Sequence, residues 1–356
     1  MIAVLLACGP APVDSSPSDS ASEWTLEALQ APGPFPVGYR VDEVTWDLPD
    51  GSPRTLRLAV WYPAAEAQGE PVEYLYGLHP DPDSFGDAVP ADGSFPVVAM
   101  SHGHQGYAEV SSFLLTHLAS HGHVVVSPDH TGNTTFDGSD RDTAIYWQRP
   151  MDLSAVLDHV EGWGPDDPAA DMTAPVLLGH SFGGYTVFAA MGAAYDAARM
   201  DGCAADVGEP GFCHDFDADD RALFEAGLGD PRWARGVAMA AGDETLFADG
   251  VTEVTGPVHL MTGGLDGDHQ GQAYWPWLTG TGSDWVDLPR GGHQTFTDVA
   301  GGFDVQPGQI DAKEGWDLIN AWVLAWVLTG RGETGLDWVW KDAWGEPEAV
   351  LTQDSG

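Results

Sequence analysis

Lysine is almost missing from this chain: Lys313 and Lys341 are the only two. All told, 13 basic residues face 55 acidic ones, for a formal net charge of -42. A surface of that sign repels phosphate backbones and anionic headgroups. That excludes nucleic acid and acidic membrane surfaces as partners and favours small neutral or cationic substrates. The carboxylates themselves read as a solubility device. Long apolar runs are absent too, none reaching the roughly 18 residues that a membrane-spanning helix needs. Cysteine is scarce, with three residues in 356.

The apolar content is ample. At 43% hydrophobic, the chain can build a sizeable core and is no disordered tail. Its 45 glycines and 26 prolines are spread along the length, as expected for ordered loops between regular elements. The length suits one α/β unit carrying insertions.

Four regions are expected. Residues 1–8 end in Leu5-Leu6-Ala7-Cys8, a short apolar run closed by small residues. It resembles the end of a bacterial lipoprotein signal, with Cys8 as the lipid anchor. Residues 9–34, rich in Pro, Ser and Asp at their start, read as a flexible linker. The body spans 35–330, and 331–356 form a C-terminal extension. The chain is therefore expected to be exported, as a cell-envelope lipoprotein or a secreted protein. Cys203 and Cys213 lie close together in a Gly/Asp-rich loop and would bridge in an oxidising compartment.

Within the body, Val41–Leu48 and Thr55–Tyr62 flank Pro49-Asp50-Gly51, a hairpin signal. Short apolar runs follow at 95–101, 123–128, 174–179, 236–241, 257–263 and 283–288, reading as strands buried on both faces of a parallel sheet. Helical periodicity appears at 109–120, 151–160, 183–197 and 315–328. The alternation implies an α/β fold with a mostly parallel, doubly wound sheet and an N-terminal antiparallel hairpin. Residues 133–147 read as a polar loop, and 199–235 as a lid-like insertion over a pocket at the carboxyl ends of the strands.

Gly179-His180-Ser181-Phe182-Gly183 matches G-x-S-x-G between a strand and a small-residue helix start, the context that motif requires. The turn is sharp enough that residues two before and two after the serine must be small. A serine hydroxyl needs a base. Downstream, Asp266 follows a strand end and His293 sits among glycines after the next strand, an order of acid then base that completes a nucleophile–base–acid set. Asp268 competes with Asp266, which is favoured because it lies nearer the strand end. His269 is expected in a wall and His259 in the core. Backbone N–H groups of Phe182 and His104, in the loop Ser101-His102-Gly103-His104-Gln105-Gly106, are the expected oxyanion donors.

These motifs, with Leu118-Ala119-Ser120-His121-Gly122, Leu265-Asp266 and Gly292-His293, resemble those of bacterial α/β-hydrolase esterases over residues 35–330. The similar groups are the platelet-activating-factor acetylhydrolase and dienelactone-hydrolase-like proteins, with the cutinase-like polyester hydrolases nearby. Asn133-Thr134-Thr135 is also similar to the polyester group. The resemblance implies the α/β-hydrolase fold and a serine carboxylesterase, with no cofactor and no metal, acting on small to medium esters. It departs at His104, where polyester hydrolases carry an aromatic residue, and at Ala240-Ala241-Gly242, where they place a tryptophan. Dienelactone hydrolases proper use cysteine where this chain has Ser181. The alternatives are a polyester or lipid-ester hydrolase and an inactive binding protein of the same fold.

Three other features read as structural. The pairs His102/His104 and His121/His123, with His130, have the spacing of a metal site but lie in a loop and at a strand start. Asp215–Asp220 lacks the glycine and terminal glutamate of a calcium loop and reads as a solvated acidic loop or a helix start. Tyr274-Trp275-Pro276-Trp277 either lines the pocket or packs against the C-terminal helix.

Overall fold

A computed structural model describes residues 24–138, 141–206, 211–267, 270–341 and 350–353. The expected signal, Cys8, and most of the linker lie outside the described residues, as do Asp268 and His269.

Eleven strands form one sheet: β1 (Val37–Asp47), β2 (Pro53–Pro63), β3 (Pro71–Tyr74), β4 (His79–Gly86), β5 (Phe95–Ser101), β6 (Val124–Pro128), β7 (Ala170–His180), β8 (Arg235–Met239), β9 (Val258–Gly263), β10 (Asp284–Leu288) and β11 (Val350–Gln353). Their order is β11-β10-β9-β8-β7-β5-β6-β2-β1-β4-β3. From β6 to β10 every neighbouring pair is parallel. The predicted hairpin β1–β2 joins this block antiparallel, through β2 on β6. This is the α/β-hydrolase fold expected from the sequence.

The parallel strands read as unbroken apolar runs because both of their faces are covered. Val97 and Ala99 of β5 enter one core, while Val98 and Met100 enter the other. The first core is roofed by α3 (Thr143–Glu161) and α4 (Phe182–Ala190), the second by α2 (Ser112–Ser120) and α8 (Ala312–Gly330). Burying each such aliphatic side chain contributes roughly 1.5–3 kcal/mol.

Several expectations shift. The linker does not run to residue 34, because Leu26–Gln30 form α1, capped by the Thr25 hydroxyl, with Leu29 buried against α8. The C-terminal extension returns to the sheet as β11, antiparallel to β10. The polar loop 133–147 is shorter than expected, since α3 starts at Thr143 with Asp142 accepting from the Ile145 N–H. Pro150 lies inside that helix and cannot donate to the Tyr146 carbonyl. The Tyr185 hydroxyl fills the gap, donating to Tyr146 O at 2.8 Å.

The insertion 199–235 is a buttress rather than a lid. It carries α5 (Ala197–Asp206) and α6 (Ala218–Ala226), and Cys203 is disulfide-bonded to Cys213. Phe212 and Phe224 pack on Tyr146 and Tyr195, and Trp147 donates to Asp220. Among the described residues none of its side chains lines the cleft over Ser181. Of the two readings of the acidic run, the helix start holds: it leads into α6, with Asp217 and Asp220 in a capping box.

Candidate active site

Ser181 sits between β7 and α4 with φ 55° and ψ -118°. That conformation is costly for a non-glycine residue and persists only where the surroundings enforce it. The flanking glycines allow the turn. A Cβ on Gly179 would stand 2.1 Å from Gly183 O, and one on Gly183 would stand 1.9 Å from Ser101 O. Helix α4 begins at Phe182, so its positive end lies beside the hydroxyl.

Two glycine-lined loops cross to deliver the other groups. Asp266 follows β9 and His293 follows β10, and the Leu265 N–H donates to Gly291 O at 2.8 Å. A Cβ on Gly263 or Gly264 would meet the opposing backbone at 2.6 Å. The crossing brings His293 Nδ1 within 2.7 Å of Asp266 Oδ2, and Nε2 within 2.9 Å of Ser181 Oγ. The tautomer that satisfies both bonds has Nδ1–H donating to the carboxylate and Nε2 accepting from the serine hydroxyl. Asp266 is buried and His293 half-buried.

His180 also takes part, which the sequence reading did not foresee. Its Nε2–H donates to the His293 carbonyl at 2.9 Å. Burial first, and His293 next, push its pKa down to about 3, so it stays neutral as a fixed donor. The middle residue of G-x-S-x-G thereby holds the loop that carries the imidazole.

The loop 101–106 is anchored from behind. Gly103 O accepts from His102 Nδ1 at 2.7 Å and from the Gly106 N–H at 3.1 Å. In a planar trans peptide the N–H points opposite to the C=O. The His104 N–H is therefore turned away from those donors, and His104 lines the cleft with Ser181. Its ring Nδ1 accepts from Asn133 Nδ2 at 2.9 Å, and Asn133 Oδ1 accepts from Arg149 Nη1 at 2.8 Å. Arg149 also donates to Ser101 Oγ and His102 O, and its guanidinium lies 4.7 Å from the Phe182 ring centre. Burial pushes Arg149 down to about 9, still a cation at neutral pH. No sequence motif flagged it, because its partners lie on distant segments.

The other histidines with the spacing of a metal site hold backbone carbonyls or a buried carboxylate. His121 bonds Ala31 O at 2.9 Å, His123 bonds Leu118 O at 3.0 Å and His130 bonds Asp152 at 2.9 Å. His259 is buried beside Trp322 and bonds Asp284, in keeping with a core residue. Among the described residues no three metal-ligating side chains converge. Tyr274 stacks on Phe188 of α4 with ring centres 3.9 Å apart and donates to Gly242 O, so it neither lines the cleft nor packs against the C-terminal helix as expected.

The cleft over Ser181 measures about 150 Å³. Besides the groups above it is lined by Arg141, Ala240, Ala241, Gly242 and Asp243. A serine hydroxyl bonded to an oriented imidazole, open to a small cleft and backed by a helix start, is equipped for nucleophilic attack on a carbonyl carbon.

Residues 80–204 match a family model described as Chlorophyllase. That span is about a third of the chain; it includes Ser181 and the loop 101–106 but neither Asp266 nor His293. No curated protein matches the chain. Among solved structures, a ferulic acid esterase from Streptomyces cinnamoneus is similar, with a TM-score of 0.63 and 22% identity. The alignment covers 91% of this chain and 98% of that one. At that identity the likeness shows a shared fold. No helix among the described residues is long and apolar enough to cross a membrane.

Proposed function

We propose that this protein is a serine carboxylesterase that cleaves small to medium esters through an acyl-enzyme. The hydrogen-bonded chain Ser181–His293–Asp266, open to the cleft, carries the reading. Ser181 Oγ attacks the ester carbonyl as His293 Nε2 takes its proton. The tetrahedral oxyanion is met by the N–H groups of Phe182 and His104, and Asp266 stabilises the imidazolium. As the intermediate collapses, the C–O bond breaks and His293 returns the proton to the leaving alcohol. Water then attacks the acyl-enzyme, giving its proton to His293, and collapse releases the acid and restores Ser181.

Asp266 stands in hydrogen-bond contact with His293, which favours it as the acid. The esterase named among the similar structures supports ester chemistry on this fold. A small cleft walled by Arg141 and Asp243 favours short soluble esters over a polyester chain. The intact nucleophile–base contact argues against a binding protein. The Cys203–Cys213 disulfide supports export, with Cys8 as the lipid-bearing residue.

Hydrolysis of p-nitrophenyl acetate, butyrate and octanoate by the wild type and Ser181→Ala tests this. Activity falling with chain length and lost in the variant is expected. No turnover of any ester, with no labelling by a fluorophosphonate, overturns the reading and leaves a binding role.

A further inference from the structure

Once a carbonyl carbon is bonded to Ser181, three of its four directions are assigned under the esterase reading, on which this inference rests. One holds Oγ, one points the oxyanion at the Phe182 and His104 N–H groups, and one points the leaving oxygen at His293, which must protonate it. The acyl substituent takes the fourth direction, toward the cleft wall left over. That wall is the Ala240–Gly242 backbone closed by Arg141 and Asp243.

The closure is an ion pair laid over an aromatic floor. Arg141 Nη1 donates to Asp243 Oδ2 at 2.7 Å, and the Tyr146 hydroxyl lies 3.4 Å from Asp243 Oδ1. The same guanidinium covers the Phe182 ring at 4.9 Å and the Tyr146 ring at 5.8 Å. Behind these two rings, whose centres are 4.8 Å apart, lies the aromatic core, with Tyr185 stacked on Phe182 at 5.1 Å. The pair thus keeps the Tyr146 ring out of the cleft and leaves little of Phe182, itself buried, to face it. What remains is about 150 Å³, roughly half the lower end of the 300–1,000 Å³ usual for ligand pockets. Asp243 is half-buried, and desolvation pushes its carboxyl pKa up while Arg141 opposes the rise. Two charges arranged in this way hold each other in place.

We infer that the Arg141–Asp243 ion pair is the acyl-size determinant of this enzyme, restricting it to short acyl groups by covering the Phe182–Tyr146 floor. The substrate class that follows is esters of short acids, with any bulk carried on the alcohol side. Removing both partners opens the wall onto aromatic carbon. Each methylene then buried against it is worth about fourfold.

The test compares the wild type with R141A, D243G and R141A/D243G, after checking that each melts cooperatively. Asp243 has φ 62°, so glycine suits its backbone. The ratio of kcat/KM for p-nitrophenyl octanoate to that for the acetate is expected to rise on the order of tenfold or more in the double variant. Each single variant, with one side chain of the pair still in the wall, should gain much less. D243N is isosteric, its amide oxygen still accepts from Arg141, and it should keep the wild-type ratio. An unchanged ratio in a folded double variant overturns the gate, and a raised ratio in D243N assigns selectivity to charge and overturns the size argument. A wild type inert on every ester refutes the esterase reading itself. The gate is then decided by calorimetric binding of octanamide, expected at least about tenfold tighter in the double variant, with equal binding sinking it.

Discussion

Two serine–histidine–aspartate chains run through this molecule at nearly equal distances. In one, Ser181 lies 2.9 Å from His293, which lies 2.7 Å from Asp266. In the other, Ser101 Oγ lies 2.9 Å from His130 Nε2, and His130 Nδ1 lies 2.9 Å from Asp152. The second is fully buried and is a scaffold. Asp152 already accepts from Trp46 and from two nitrogens of Arg54. Burial, then Arg149 and Arg54, drive the His130 pKa well below its usual value, so this imidazole cannot take a proton. Ser101 closes a strand, whereas Ser181 is thrust out at φ 55°. Distance alone does not make a nucleophile: the serine needs a cleft, a base able to charge and a place for the oxyanion.

Ser181→Ala should break the comparison most completely. Loss of a serine nucleophile typically costs on the order of a million-fold in kcat. Asp266→Asn should follow, at about ten thousand-fold, because an amide facing Nδ1 favours the wrong tautomer. Both variants should fold with near-native melting temperatures, as measured by calorimetry alongside p-nitrophenyl acetate kinetics. An active Ser181→Ala would move the nucleophile elsewhere.

Much of this was legible in the sequence because it is local. The G-x-S-x-G turn is a steric demand met by Gly179, Gly183 and Gly184 within six residues. The parallel strands announce themselves because burial on both faces leaves only apolar side chains. His293 and Asp266 follow from chain order and strand ends. What escaped depends on contacts across long separations. Arg149 reads as an ordinary charged residue near a proline, yet it bridges Ser101, His102 and Asn133. Arg141 sat in a stretch read as polar loop, and Asp243 lies beyond a strand end without a motif around it. The start of α3 was missed because Pro150 reads as a helix breaker, and only Tyr185, far along the chain, supplies the missing donor. The edge strands β3 and β4 carry Pro71, Pro80 and Pro82, which mask their extended pattern.

Arg149 links the two chains, donating to the buried serine and to the carbonyl of His102 in the loop that carries His104. Arg149→Met should lower kcat by about a hundredfold, as small displacements of catalytic groups do, with KM little changed. Arg149→Lys should recover part of the loss. Equal falls in kcat/KM through KM alone would sever the link.

The buried chain should also leave a mark on stability. Because the folded pKa of His130 is depressed, only the unfolded chain takes up its proton just below the ordinary value near 6.5. Stability that is present above that value is lost as pH falls, by about 2 kcal/mol between pH 6.5 and 5. His130→Gln should flatten that part of the curve in urea titrations, and an identical slope would mean that His130 charges in place.

Ser101→Ala is the smallest and sharpest test. It strips a hydroxyl that accepts from Arg149 and serves His130, leaving a buried donor and a buried acceptor unsatisfied at about 1–3 kcal/mol. Its effect should therefore appear in urea midpoints, while ester turnover falls far less than in Ser181→Ala. Were turnover to collapse with stability intact, the inner serine would have a role in the chemistry, and the division between a working chain and a supporting one would fail.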